Sequence, residues 1–140
     1  MTFLFAYLHF LGFILLVSFL VAELVMLCVP LSEASLKLLK RIDLLYGLTA
    51  GLVLGTGIGR IFYEKGWDYY SHSHFFWEKV TVFLVVGSIS AYPTVRLIKA
   101  KTSGELDAAT QKKLKNFVIA QLLLVPVIIA CAILMARGFQ

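Results

Sequence analysis

The sequence has few cysteines and lacks the short motifs that mark soluble enzymes. Its two cysteines, Cys28 and Cys131, form no CxxC pair, and the chain contains no HExxH motif, Walker loop or nucleophile elbow. Cys28 ends the first predicted helix at the cytoplasmic side and Cys131 lies in the outer part of the fourth, so most of a bilayer separates them and geometry excludes an intramolecular disulfide. No polar stretch is long enough to form a soluble domain. Familiar soluble-enzyme chemistry is therefore excluded.

Long apolar segments take up most of the chain instead. Apolar residues make up 60% of the 140 residues and the mean hydropathy is +0.88. Four segments are apolar on every face, unlike the helices of a soluble bundle: 3–29 (interrupted at Glu23), 44–59, 80–95 and 116–136. A helix needs about 20 mostly apolar residues to cross a bilayer, and charged end residues can snorkel to the interface. We therefore predict a single all-α domain, residues 1–140, with four transmembrane helices at approximately 3–29, 43–63, 75–98 and 115–137.

The basic residues predict how this bundle is oriented. Nine of the 13 Lys and Arg residues lie in the two connections on one side: Lys37, Lys40, Arg41, Arg96, Lys99, Lys101, Lys112, Lys113 and Lys115. The other side has Arg60, Lys65, Lys79 and Arg137. Because basic residues stay in the cytoplasm, we expect both termini on the non-cytoplasmic side of the membrane. The pI of about 9.3 then reflects topology and contact with anionic lipid, and we expect no nucleic-acid partner.

The connections contain further local signals. Residues 32–41 are amphipathic and predict a helix, and Thr102 or Ser103 is expected to cap a short helix with Asp107 in its first turn. Residues 62–77 are rich in Trp, Tyr and Phe, which is typical of an anchor at the membrane interface. That segment also contains His72 and His74, a pair that is weak evidence for a metal site without further ligands.

His9 and Lys79 stand out because polar side chains inside a membrane are costly and often functional. His9 lies about two turns into the first helix, where an imidazole can ligate a metal or haem, carry a proton, or bond to a neighbouring helix. Lys79 opens the third helix at a similar depth, since the first and third helices run in the same direction. One ligand could lie between them. Lys79 also fits an ordinary snorkelling lysine.

Glycines repeat every four residues along the second helix, at positions 47, 51, 55 and 59. Such spacing usually allows two helices to pack closely, including the two copies of a homodimer. Alternatively, Gly51 and Gly55 form a flat wall against which a planar cofactor lies. Arg60 would then bind a carboxylate of that cofactor through two hydrogen bonds.

Glu23 shares a helix face with His9, because 14 residues correspond to almost four full turns. The two lie roughly 21 Å apart along the helix, which places Glu23 near the cytoplasmic side. Asp43, Tyr46, Tyr92 and Arg96 fall at the same level. These groups form either a structural ion-pair layer or the inner end of a proton path through Glu23, Asp43 and Tyr92.

The Leu8-His9 pair and the Trp77-x-Lys79 opening of the third helix carry a resemblance to known membrane proteins. The chain resembles a bacterial four-helix membrane family of unknown function, allied to the HemJ-type protoporphyrinogen oxidases and the CopD-like copper-resistance domains. The resemblance implies that His9 is an axial ligand of haem b and that Lys79 is a second ligand or an essential neighbour. Residues 17–20 depart from the Trp-x-x-Gly segment of HemJ-type proteins, whereas Glu23 and the stretch 91–94 are similar to the family of unknown function.

Three functions follow as expectations. The leading hypothesis is a b-type haem protein that acts in electron transfer or haem-linked redox chemistry with a membrane quinone. The second is a protoporphyrinogen oxidase of the HemJ type, with a porphyrin substrate. The third is a cofactor-free transporter that relays protons through His9 and Glu23.

Overall fold

The computed structural model describes residues 2–100 and 106–138, and all regular secondary structure in these residues is helical. Its elements are α1 (Thr2–Leu27), α2 (Glu33–Arg60), a π-helical turn (Ile61–Lys65), α3 (Gly66–Ser71), α4 (His74–Lys99) and α5 (Ala108–Ala136). Four of them, α1, α2, α4 and α5, are long and apolar enough to cross a membrane. The prediction of an all-α bundle with four membrane-spanning helices is confirmed.

Local capping explains where α2 and α5 begin. Residues 33–41 are helical as expected, but they form the first turns of α2 and not a separate element, and Ser32 precedes them in an extended conformation. Ser32 and Ser35 cap this start reciprocally, with N-to-Oγ distances of 3.2 and 2.7 Å. In α5 the cap is Asp107, which accepts a hydrogen bond from the Thr110 amide at 3.1 Å and has its pKa lowered by hydrogen bonding from Thr110. The predicted caps Thr102 and Ser103 lie outside the described residues, and Asp107, expected in the first turn of a helix, instead precedes α5 as its cap.

The long helices pack as two antiparallel pairs, α1 with α2 and α4 with α5, and α1 also packs against α5. The contact between α2 and α4 is smaller. We call the end of the bundle where α1 begins and α5 finishes the terminal end. The opposite end, which carries Lys37, Lys40 and Arg96, is the basic end.

The core is concentrated in the half of the bundle near the basic end. Its fully buried members are Leu20, Leu39, Leu114 and Val118, and Leu16, Leu27, Leu36 and Leu97 are almost as buried. These branched side chains come from all four long helices and fill the space between them. The half near the terminal end is less densely filled, which leaves room for a ligand.

Candidate functional site

Two neighbouring cavities lie in the terminal half of the bundle. The larger has a volume of about 760 Å³ and the smaller about 120 Å³. Both are lined by His9, Phe13, Lys79 and Ile128, so they meet along the same three helices. The volume of the larger cavity falls within the range of about 300–1,000 Å³ that is usual for small-molecule and cofactor sites.

His9 is held in one orientation by α2. Its Nδ1 atom lies 3.0 Å from the carbonyl oxygen of Val53 and 3.1 Å from Oγ1 of Thr56. A carbonyl can only accept, so Nδ1 carries the proton and donates it to Val53. The lone pair is then on Nε2, which forms no hydrogen bond with any residue that the structure describes. Metal-ligating histidines usually donate their other ring N–H to an oxygen acceptor in this way.

Gly57 makes room for this imidazole. A Cβ atom at position 57 would lie 3.3 Å from His9 Cε1 and 3.6 Å from Nδ1, so even alanine would crowd the ring. The need for glycine here comes from the neighbouring helix and not from the backbone conformation.

Gly51 and Gly55 do not form the wall of the His9 site. No described atom outside their own helix turn lies within 4 Å of the position that a Cβ would take at either residue, and neither lines the cavities. The buried face of α2 is marked by Asp43, Thr49, Val53 and Thr56, whose spacing of three or four residues puts them on one side of the helix. Gly51 and Gly55 are about half a turn away from Val53, on the exposed face. The wall at Gly51 and Gly55 therefore stays a prediction that lies apart from the His9 cavities, whereas Gly57 lies beside the imidazole.

Lys79 lies on α4 and lines both cavities together with His9, as their similar depth suggested. It is half-buried, and its ammonium group stands 5.8 Å from the centre of the Phe76 ring. This distance is within cation–π range. Neither of the two ion pairs among the described residues involves Lys79.

Arg60 stands at the terminal end of the larger cavity and already has a partner. Its Nε and Nη2 atoms donate to the two carboxylate oxygens of Glu64 at 2.9 and 3.2 Å, and Tyr70 donates to the same carboxylate at 2.9 Å. Lys65 also lines this part of the cavity. Arg60, Lys65 and Lys79 therefore place three cations around the larger cavity, against the one carboxylate of Glu64. We call these four residues the cationic rim, and their net positive charge favours an anionic group on a bound molecule.

A second polar region lies deeper, near the basic end. Glu23 of α1 and Asp43 of α2 are 2% and 6% exposed, and the charge of Asp43 acts on Glu23. Asp43 accepts a hydrogen bond from Thr94 of α4 at 2.9 Å, and Tyr46 donates to Oε1 of Gln121 on α5 at 2.9 Å. We call Glu23, Asp43, Tyr46, Thr94 and Gln121 the buried polar cluster.

Tyr92 does not join this cluster, although the sequence placed it on the proton path. Its ring stacks on Phe117 with centroids 4.6 Å apart, and its hydroxyl lies 3.4 Å from Nε of Arg96. Helical geometry separates it from Thr94, which points toward Asp43. Gln121 of α5 belongs to the cluster instead, through its hydrogen bond with Tyr46. It was not among the predicted site residues, although an amide in the middle of an apolar segment is itself a sign of a functional residue.

Metal-ion coordination by several side chains finds no support in the described part of the chain. It contains no group of three or more His, Cys, Asp or Glu side chains arranged to hold an ion. His72 bonds to the Asp68 carbonyl at 2.7 Å, and both His72 and His74 are exposed. Cys28 and Cys131 are free thiols, in agreement with their predicted separation.

Comparison with known proteins gives a family without a described activity. The chain matches, over residues 1–140, the model of a family described as "Predicted membrane protein (DUF2214)". No curated protein and no solved structure matches it. A match over the whole sequence shows membership, and it agrees with the four apolar helices. The chain is therefore a multi-pass member of the DUF2214 family of predicted membrane proteins.

Proposed function

We propose that the protein binds haem b in the terminal half of the bundle, with His9 as an axial ligand, and acts in electron transfer within a bacterial inner membrane. The observation that carries this proposal is the hydrogen bond from His9 Nδ1 to the Val53 carbonyl. It fixes the tautomer that leaves Nε2 free to ligate, beside a cavity of about 760 Å³.

The residues around His9 suit the other parts of such a cofactor. Apolar side chains of α1 and α5, among them Phe10, Phe13, Ile128 and Ile133, line the larger cavity and would cover a porphyrin ring. Arg60 and Lys65 would bind its propionates at the terminal end, with Arg60 shared between a propionate and Glu64. Lys79 would supply either a second ligand to the iron or a positive charge next to the cofactor.

Bound haem supplies one-electron redox chemistry, and the protein's own residues set the conditions for it. Val53 and Thr56 orient the His9 imidazole, and Gly57 allows it to lie close to α2. The apolar walls of the cavity would keep water from the porphyrin ring. A quinone dissolved in the lipid is the redox partner that we propose, because the cavities lie within the membrane-spanning part of the bundle.

A HemJ-type oxidase is a second reading of the same site. Its porphyrinogen substrate carries carboxylates on an apolar tetrapyrrole, and both parts suit the apolar cavity and its cationic rim. Complementation separates the two readings. An oxidase restores growth of a bacterial strain that lacks protoporphyrinogen oxidation, whereas an electron carrier does not.

The absorption spectrum of detergent-purified protein tests the proposal. Protein made in cells supplied with haem should show a Soret band, with α and β bands that sharpen after reduction by dithionite. The His9→Ala variant, prepared in parallel, should be colourless. A colourless wild-type protein, or full haem occupancy in His9→Ala, would overturn the assignment and favour a cofactor-free transporter.

A further inference from the structure

The buried polar cluster contains a carboxylate that the described structure leaves unsatisfied. Glu23 is 2% exposed, and its Oε1 atom has no hydrogen-bond partner among the described residues. Neither of the ion pairs in the described part of the chain involves Glu23 or Asp43. Burying a charge without a partner costs roughly several kcal/mol of folding free energy, so an unpaired carboxylate is unusual in the interior of a bundle.

Among the described residues, the neighbours of Glu23 offer it no positive charge. The titratable groups that face it are Asp43 and Tyr46, both on α2. From α5 the cluster receives Gln121, whose Oε1 already accepts from Tyr46, and from α4 it receives Thr94, which donates to Asp43. Two buried carboxyl groups therefore belong to one cluster in an apolar setting, where burial disfavours the charged form of each.

We propose that Glu23 and Asp43 form a proton-binding site, in which one exchangeable proton is shared between the two carboxyl groups. A proton removes the uncompensated negative charge of Glu23, and it removes the repulsion between the two groups. Glu23 lies four residues before the end of α1, about 6 Å along the helix axis, so the proton has a short distance to the basic end.

The available oxygen atoms fit a proton better than a metal cation. Asp43 Oδ1 is engaged by Thr94, and Gln121 Oε1 is engaged by Tyr46. Hard cations such as calcium take about six to eight oxygen ligands, and the free oxygens of this cluster are fewer. The site does not depend on haem, since none of its residues lines the two cavities.

Infrared difference spectroscopy of the full-length protein in lipid tests this inference. We expect the wild type at neutral pH to show the carbonyl stretch of a protonated carboxylic acid, which shifts in heavy water and disappears as the pH is raised. Glu23→Gln should lose this band. The matched control Glu33→Gln, which removes an exposed carboxylate paired with Lys37, should keep it.

Three results would overturn the inference: absence of the band in the wild type, its persistence in Glu23→Gln, or its removal by sodium at constant pH. The last result would identify a metal-cation site. If Glu23→Gln does not fold, the wild-type pH and sodium titrations still decide the question. A band that titrates with pH and ignores sodium supports the shared proton.

Discussion

The two polar regions of this bundle differ in how their groups are satisfied. At the terminal end, His9 and Arg60 have hydrogen-bond partners and still border a cavity of about 760 Å³. Near the basic end, Glu23 is 2% exposed, lies beside the packed core and has a carboxylate oxygen with no hydrogen-bond partner in the described part of the chain. Positioned donors next to open space suit a molecule the size of a cofactor. An unpaired carboxyl group in a closed space suits a ligand as small as a proton.

If this comparison is correct, substitutions in one region should leave the other intact. The largest effect is expected at Gly57. In Gly57→Leu the new side chain must displace the imidazole, because Cβ alone would lie 3.3 Å from His9 Cε1. We expect haem affinity to fall at least about 100-fold, which is roughly 2.8 kcal/mol. Titration of the haem-free protein with haem measures it.

Gly55→Leu is the matched control, two residues away on the same helix. Its Cβ would meet no described atom within 4 Å, so haem affinity should equal that of the wild type. Equal loss in both variants would show that the bundle is simply intolerant of bulk on α2, and equal retention would place His9 outside the haem site.

The next largest effect is expected on stability, in the buried polar cluster. Gln121→Ala leaves the Tyr46 hydroxyl without its acceptor, which should lower the free energy of unfolding by about 1–3 kcal/mol. Thermal unfolding in detergent measures this loss. The double variant Tyr46→Phe/Gln121→Leu removes both partners and should recover much of it. A single variant as stable as the wild type would contradict the role of this bond.

Lys79→Met comes third and sharpens the description of the haem site. We expect haem affinity to fall about tenfold, or roughly 1.4 kcal/mol. A change from low-spin to high-spin haem in the visible spectrum would identify Lys79 as the second ligand, whereas lower affinity at unchanged spin state would identify a positive neighbour. Lys65→Met, at the rim, should keep the wild-type spin state. Wild-type affinity and spin state in Lys79→Met would remove Lys79 from the site.

The smallest effect is expected at Thr56, whose hydroxyl lies 3.1 Å from His9 Nδ1. In Thr56→Val the imidazole keeps its bond to the Val53 carbonyl, so haem affinity should fall only about threefold, in line with roughly 0.6 kcal/mol for a hydrogen bond between membrane helices. Thr49→Val is the control, because Thr49 bonds to the Leu45 carbonyl of its own helix. A loss as large as that of Gly57→Leu would mean that Thr56, and not Val53, fixes the imidazole.

The sequence predicted the class of fold and the depth of His9 and Lys79, because both depend on helix length and direction alone. Segments of about 20 apolar residues give the number of spans, and residues near the starts of the first and third spans must lie at the same level. Counting residues could not predict how each helix is rotated about its axis, that is, which of its side chains face the neighbouring helices. Depth is set by position in the chain, whereas rotation is set by packing against neighbours.

Gly51 and Gly55 illustrate this difference. The glycine repeat predicts either a close helix contact or a flat wall for a cofactor, whereas the polar side chains of α2, from Asp43 to Thr56, mark its buried face. In lipid, polar groups turn inward and apolar ones face outward. The same reasoning applied to α5 would have identified Gln121. Whether the exposed glycines form a homodimer contact stays a prediction, as does the orientation with both termini outside.

Haem titration of two variants, His9→Ala and Glu23→Gln, provides the sharpest test of the separation between the two regions. The account predicts that His9→Ala fails to develop a Soret band at any haem concentration that saturates the wild type. It predicts that Glu23→Gln binds haem with wild-type affinity. Saturation of His9→Ala with an unaltered spectrum, or loss of binding in a folded Glu23→Gln protein, would contradict it.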